Sequence, residues 1–332
     1  MRTRTVHGCV LTCAAALAVS AAGAPSGATA AEPAHGSAGD RVVASSGSAV
    51  ASRTVSAHSG SRRGGSGQVI WAGDAESPSS REWATGNAFD VNRGNATSML
   101  SGDWSSSTRV RRVSSPVAQG SSAYAVTVLG GDRDAYTSGA QRTEVGQNNA
   151  SRSFPDGVNR QMTHGQERWI ALQLRIPADF PSARWNSLVQ LKGAGTGNGP
   201  FGVSWENGRI TLAKSERRSY GSTDLDTVWA PPGPSARDRW LKLAIHVKWS
   251  TGPNGFYELL GDLGDGQGFH QLKPRTDGWT LKRDAAGEPV DVGARCGIYR
   301  SAIAADATAY FDGFTVARTR ADATRRAFGS KH

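Results

Sequence analysis

Between residues 240 and 249 the chain reads Trp-Leu-Lys-Leu-Ala-Ile-His-Val-Lys-Trp. Leu241, Leu243, Ile245, Val247 and Trp249 fall on one parity, and Lys242, Ala244, His246 and Lys248 on the other. Successive strand side chains point to opposite faces, so this period of two predicts a strand with one buried and one wet face. Residues 123–129 and 168–176 are further β-rich runs, stopped by Gly130-Gly131-Asp132 and by Pro177. Pro253-Asn254-Gly255 predicts the turn of a hairpin leading into a strand over 256–262. Residues 309–317 read as a last strand pair or one bulged strand, and no long amphipathic helix precedes the Arg-rich segment after residue 320. Many short strands punctuated by Gly and Pro predict an all-β fold. The expected form is a two-sheet antiparallel β-sandwich of jelly-roll type with a concave substrate groove.

Three separated segments carry polar residues where a buried strand would be apolar. They are Gln141-Arg142-Thr143-Glu144-Val145, Leu188-Val189-Gln190-Leu191-Lys192 and Cys296-Gly297-Ile298-Tyr299-Arg300. Residues i and i+2 share a face, which puts Arg142 beside Glu144 and Gln190 beside Lys192. Burying unpaired charges is costly. The alternative is that the three strands line one polar, solvent-filled groove, and its arginine, amide, lysine and tyrosine suit a sugar acid.

Composition narrows the setting. Arg2 and Arg4, an apolar run over 10–22 and Ala28-Thr29-Ala30 read as a secretory signal peptide over 1–30. The apolar run is short of the roughly 20 residues a membrane span needs. A Ser/Gly/Ala-rich linker over 31–67 cannot bury enough apolar area to fold. The remaining division is one domain over 68–320 and a basic tail over 321–332. A soluble, exported monomer is expected. Cys9 and Cys13 lie in the signal, which leaves Cys296 as a buried, inert thiol. The formal net charge of +10 points to an acidic partner. Basic residues are scattered, and no nucleic-acid-binding motif is present, so an anionic polysaccharide is favoured over nucleic acid. Of the 10 tryptophans, Trp169 and Trp249 fall on apolar alternation, as core residues do. Trp205 sits beside polar residues and is a candidate to stack on a sugar ring.

Arg142-Thr143-Glu144-Val145 resembles the Arg-Ser/Thr-Glu-Leu/Val strand of jelly-roll polysaccharide lyases. Val189-Gln190-Leu191-Lys192 looks like their Gln-x-His strand, and Arg295-Cys296-Gly297-Ile298-Tyr299-Arg300 resembles their closing Lys-x-Gly-x-Tyr strand. His246-Val247-Lys248-Trp249-Ser250 with Asn254-Gly255-Phe256-Tyr257-Glu258 is similar to a segment of the heparin lyase I and glucuronan lyase-like group. The motifs occur in family order across most of 120–317. The resemblance implies cleavage of a uronic-acid polysaccharide by β-elimination. It makes Arg142 and Gln190 neutralisers of the uronate carboxylate and Tyr299 the acid, with a possible second role as base. Glu144, Arg300, Trp205 and His246 are further candidates for substrate binding. One departure bears on the base: Lys192 stands where the alginate-lyase pattern has histidine. Lysine is normally protonated and acts as a base only if its pKa falls. His164, in a loop before a strand, is a candidate for the missing base.

Each assignment has a structural counterpart. Arg142 and Glu144 suit a cross-strand ion pair, Gln190 a bond to backbone, Tyr299 a core position, and His164 and His246 solvated surface. At the level of function, a non-catalytic carbohydrate-binding jelly roll shares the same groove. A glycoside hydrolase needs two carboxylates roughly 5–10 Å apart, and the chain lacks a paired Glu-x-Asp-x-x-Glu strand. Asp306 and Asp312 lack the spacing of a calcium-binding loop, so no metal or other cofactor is expected.

Overall fold

The computed structural model describes residues 69–329 apart from 78–81, 84, 89–97, 100–108, 133–138, 148–160, 194–196, 220 and 222. The expected signal peptide and linker lie outside the described residues. The strands are β1 (Val69–Gly73), β2 (Thr85–Ala88), β3 (Ser98–Met99), β4 (Val110–Val113), β5 (Ala123–Val128), β6 (Ala140–Gly146), β7 (Glu167–Arg175) and β8 (Asn186–Lys192). They continue as β9 (Phe201–Glu206), β10 (Arg209–Lys214), β11 (Asp226–Trp229), β12 (Trp240–Lys248), β13 (Phe256–Asp262), β14 (His270–Asp277), β15 (Gly293–Ser301) and β16 (Ala307–Ala317). One helix, α1 (Arg320–Phe328), follows.

The strands form two eight-stranded sheets. The first runs β14-β13-β12-β7-β16-β5-β4 with β1 added on β16, and the second runs β11-β10-β9-β8-β15-β6-β2-β3. Every strand pairing is antiparallel. Period-two patterning explains the core between the sheets. Leu241, Leu243, Ile245, Val247 and Trp249 are buried in it with Ile170, Leu172 and Leu174 from β7 and Val189, Leu191, Cys296 and Ile298 from β8 and β15. The expected hairpin joins β12 to β13, with Lys248 opposite Phe256. The last strand is single and bulged, and its pairing with β7 shifts between Asp312 and Thr315. Gly313 makes the bulge possible: its φ is +63°, and a side chain there would meet the backbone of Ala327.

The expected basic tail is, in its first part, an ordered helix. Ala323, Ala327 and Phe328 of α1 bury against Ala171, Ala244, Leu260 and Ala317 on the outer face of the first sheet. Thr319 caps the helix, its hydroxyl accepting from Asp322 N. Arg326 Nε reaches the buried Asp74 at 2.6 Å. The arginines that suggest a solvated tail are one face of this short amphipathic helix. No helix among the described residues is long and apolar enough to cross a membrane.

Asp312 is fully buried at the bulge, where its Oδ2 accepts from Ala118 N at 2.9 Å and Gln119 N at 3.1 Å. Burial outweighs these bonds and pushes its carboxyl up to about 7 from 3.8. The folded state therefore holds a proton that the unfolded chain releases, and stability falls as pH rises from about 4 to about 7. Asp312→Asn keeps an oxygen for the two amides and removes the buried charge. Its advantage over the parent should grow across that window to an upper limit on the order of 4 kcal/mol. Thermal unfolding at pH 4 and pH 8 checks this; a gap that does not widen between the two removes the ionisation account.

Candidate active site

The three polar strands are neighbours in the second sheet, in the order β8-β15-β6. Across β15 and β6 the register sets Tyr299 opposite Arg142 and Gly297 opposite Glu144. Across β15 and β8 it sets Arg295 opposite Gln190 and Gly293 opposite Lys192. Directly opposed residues project to the same side of a sheet. The alternation that sends Cys296, Ile298, Val189 and Leu191 inward therefore sends these polar residues to the outer face. Gly297 tightens the arrangement. Its φ is +151°, and a side chain there would strike the backbone of Thr143 in β6. At the same place the pairing of β15 with β8 slips, between Cys296 and Tyr299, and brings Ser187 opposite Tyr299.

The side chains are interlocked. The Arg142 guanidinium lies over the Tyr299 ring, with Cζ 3.7 Å from its centroid. The Trp185 ring meets Tyr299 edge-on at 4.7 Å between centroids. Glu144 Oε1 accepts from Gln190 Nε2, and Glu144 Oε2 is 3.5 Å from Arg142 Nε. Arg142, Glu144 and Gln190 are all buried, which strengthens these charged contacts relative to the same contacts in water. Tyr299 is half-buried and, with Trp185, Asn186, Gln190, Gly202 and Ser204, lines a cavity of about 350 Å³. Small-molecule pockets run from about 300 to 1,000 Å³, so the cavity suits a short stretch of glycan.

Lys192 donates to the carbonyl of Gly197. Burial, and then repulsion from Arg295 and Arg142, pull its ammonium down to about 8, against an opposing pull from Glu144. Lys192 is thus charged at neutral pH and loses that charge in mildly alkaline solution. Neither Lys192 nor Arg142 is among the residues that line the cavity.

Four other candidates lie elsewhere. Arg300 is fully buried on the inward parity, where Nε donates to Gln141 Oε1 at 2.8 Å and Nη2 to Ala305 O. It fixes the β15–β16 connection and is closed to substrate. Trp205 is 1 % exposed and belongs to the core, so it offers no face to a sugar; the polar residues beside it in sequence sit on the opposite parity. His246 is on the first sheet. It stacks on Trp169 at 4.0 Å, with Nδ1 2.7 Å from Glu258 and Nε2 2.8 Å from Glu167. Trp169, expected in the core, is half-buried on that outer face. His164 is exposed in the turn before β7, its Nδ1 3.4 Å from Thr251 N, and it does not line the cavity.

The structure adds three residues around the site. Arg295 is legible in the sequence, since it shares Tyr299's parity four residues earlier. Trp185 and Asn186 carry no periodic signal. Asn186 is 1 % exposed, lines the cavity, and neither atom of its carboxamide has a hydrogen-bond partner among the described residues. The register sets Asn186 opposite the inward-facing Arg300, so its carboxamide is a buried polar group of the β8–β15 seam and is not presented to a ligand. Among the described residues no group of three or more His, Cys, Asp or Glu is placed to hold a metal ion.

A family model described as polysaccharide lyase matches residues 80–315. No curated protein sequence matches the chain. Among solved structures, the chain is similar to an endo-β-1,4-glucuronan lyase from the fungus Trichoderma reesei, with 17 % identity and a TM-score of 0.48 over 64 % of this chain and 88 % of that one. It is similar to the catalytic domain of a glycoside hydrolase family 131 protein from Coprinopsis cinerea at 9 % identity and TM-score 0.47, over 76 % of this chain and 96 % of that one. A marine PL-14 alginate lyase from Aplysia kurodai follows at 12 % identity and TM-score 0.43, over 63 % and 87 %.

Proposed function

The chain belongs to the polysaccharide lyase family, and from that premise we propose that it cleaves a uronic-acid-containing anionic polysaccharide by β-elimination at the Tyr299 groove. The observation that carries the reading is the stack of the Arg142 guanidinium on the ring of Tyr299, which lines the cavity together with Gln190.

The chemistry asks for three things. The uronate carboxylate must be neutralised so that the adjacent C5 proton becomes removable. Arg142, with a planar fork matched to a carboxylate, and Gln190, an amide donor, supply this in a partly dry groove. A base must then take the C5 proton, and an acid must protonate the leaving O4. Tyr299 serves both steps: its oxygen takes the C5 proton, the C5–H electrons become the C4=C5 double bond, the C4–O4 bond breaks, and the same proton passes to O4. Arg142, Arg295 and Lys192 place positive charge around the oxygen that carries the proton from C5 to O4.

The test is incubation with a panel of glucuronan, alginate, heparin and hyaluronan while following absorbance of the unsaturated product. Chromophore from at least one uronate polymer is expected. Its absence from every polymer, with measurable binding, is the outcome of a groove that binds without cleaving. Lys192 adds a check on charge. Affinity for the cleaved polymer should weaken as pH rises through about 8, where Lys192 loses its proton. Lys192→Met should reduce that step, Lys214 and Lys282 losing their protons in the same range, and lower the salt dependence of binding. An unchanged step in the variant removes Lys192 from the field.

The basic start, the apolar run and Ala28-Thr29-Ala30 support an exported enzyme that meets its polymer outside the cell. Expression with the full leader should yield an extracellular product that begins near residue 31; retention of full-length chain inside the cell overturns it.

A further inference from the structure

At the end of the sandwich where β10 and β14 stop, a second cavity of about 260 Å³ opens. Lys214, Glu216, Asp226, Tyr257, Asp277 and Trp279 contribute to its wall. The Lys214 ammonium lies 3.4 Å from the centroid of the Trp279 ring, and the Arg218 guanidinium 5.9 Å from the same ring. The Arg218 segment is tied to the segment that carries Lys282, since Arg283 N donates to Arg218 O at 2.8 Å. The cavity therefore has an aromatic face, a half-buried cation on that face, and carboxylates around it.

This cavity is electrostatically continuous with the groove. The cations that depress Lys214 are Arg218 and Lys282, after burial as the larger cause. Lys282 is also among the cations that depress Lys192, beside Tyr299's groove. A row of positive charge thus runs from Arg142 and Arg295 through Lys192 and Lys282 to Lys214 and Arg218. Mutual repulsion along such a row is unfavourable for the protein alone, and an anion laid along it relieves that cost. Acid groups on the row do not cancel it. Asp277 is paired with Arg275 at 2.9 Å, and Asp224 with Arg217 at 2.9 Å. Glu216 is pushed up by its hydrogen bond to Asp226 and by that neighbour's charge. A cation and hydroxyl-accepting carboxylates are together what an acidic sugar ring requires: an ammonium, held in place on the Trp279 ring, for its acid group, and acceptors for its hydroxyls.

We propose that the Lys214–Trp279 cavity is a second acidic-sugar subsite, which holds a uronate residue of the same chain away from the cleavage position. The inference rests on the lyase reading of the groove and names where a long substrate is gripped. At 260 Å³ the cavity is below the usual range for drug-sized ligands, about 300–1,000 Å³, which fits one sugar ring better than an oligosaccharide.

The experiment is affinity electrophoresis of the full chain through gels that contain glucuronan, alginate, heparin or a neutral glucan, beside kinetics on the cleaved polymer and on its shortest cleaved oligomer. Lys214→Gln and Trp279→Leu are compared with the parent after thermal unfolding shows that each is folded; if Trp279→Leu fails that check, Lys214→Gln and Arg218→Gln carry the test. A uronate polymer should retard the parent. Each variant should bind it about fivefold to thirtyfold more weakly, the range a desolvated cation–π site supports, and the loss for Lys214→Gln should shrink at high salt. KM should rise more on the polymer than on the shortest oligomer. Equal effects on polymer and oligomer, or none on either, overturn the subsite and leave the lyase reading standing. Retardation that the variants weaken, with no unsaturated product from any polymer, upholds the subsite and overturns cleavage. Retardation by heparin alone shows that the site takes sulfate and overturns the uronate assignment.

Discussion

Tyr299→Phe is expected to lose about two to four orders of magnitude in turnover, the usual contribution of a positioned proton-transfer group, with little change in affinity for the uronate polymer. The substitution deletes one oxygen and keeps the ring. The Arg142 guanidinium can still lie over that ring, and Trp185 can still meet its edge, so the cavity keeps its wall. Because Tyr299 acts on both sides of the elimination, the loss should fall on kcat, and no pH should restore it. The measurement is initial rate by product absorbance, with affinity from gel retardation in the same buffer. A variant that cleaves at the parental rate strips Tyr299 of its role and leaves the family assignment in place. A variant that also loses binding means the hydroxyl holds substrate and does not move a proton.

How much of this site is legible in the amino-acid sequence depends on which physical rule wrote each part of it. Period-two alternation wrote the sheet faces, and it is sufficient to put Arg142 with Glu144 and Gln190 with Lys192. The same rule places Arg300 on the parity opposite Tyr299, and the structure finds it sealed against Gln141. Trp205 misleads because its polar sequence neighbours suggest a wet setting that its parity denies. Ser204 and Glu206 point outward from β9, and Trp205 between them must point inward. His246 sits on a polar face as its strand pattern says, but alternation cannot tell which of two sheets that strand joins. The helix at 320–328 escapes sequence reading because three apolar contacts among its arginines look like a tail until a sheet face is there to receive them. Lys192 shows a different limit. Its distance from ordinary lysine behaviour comes in part from Arg142 and Arg295, residues 50 and 103 positions away, and strand pairing alone brings them together.

The Arg142–Glu144–Gln190 link supplies the second large effect, on stability and activity at once. Glu144 is 2 % exposed, and its two oxygens face Gln190 Nε2 and Arg142 Nε. Arg142→Met removes the cation and leaves that carboxylate buried with the amide alone. Removing one partner of a buried ion pair costs about 3–5 kcal/mol, because the remaining charge is left uncompensated. Glu144→Gln in the same background removes the stranded charge, so the double variant should recover most of the lost stability. Activity should behave differently. Without Arg142 the uronate carboxylate loses its planar, two-pronged partner, and the double variant, though folded, should remain as inactive as the single one. Arg142→Lys separates charge from geometry: it should keep more stability than Arg142→Met yet recover little activity, since a lysine ammonium cannot reproduce the fork or the stack on Tyr299. Denaturant unfolding and product absorbance on the four proteins decide it. If the double variant regains turnover along with stability, Arg142 is a partner for Glu144 and nothing more, and the carboxylate must be neutralised by Gln190, Arg295 and Lys192.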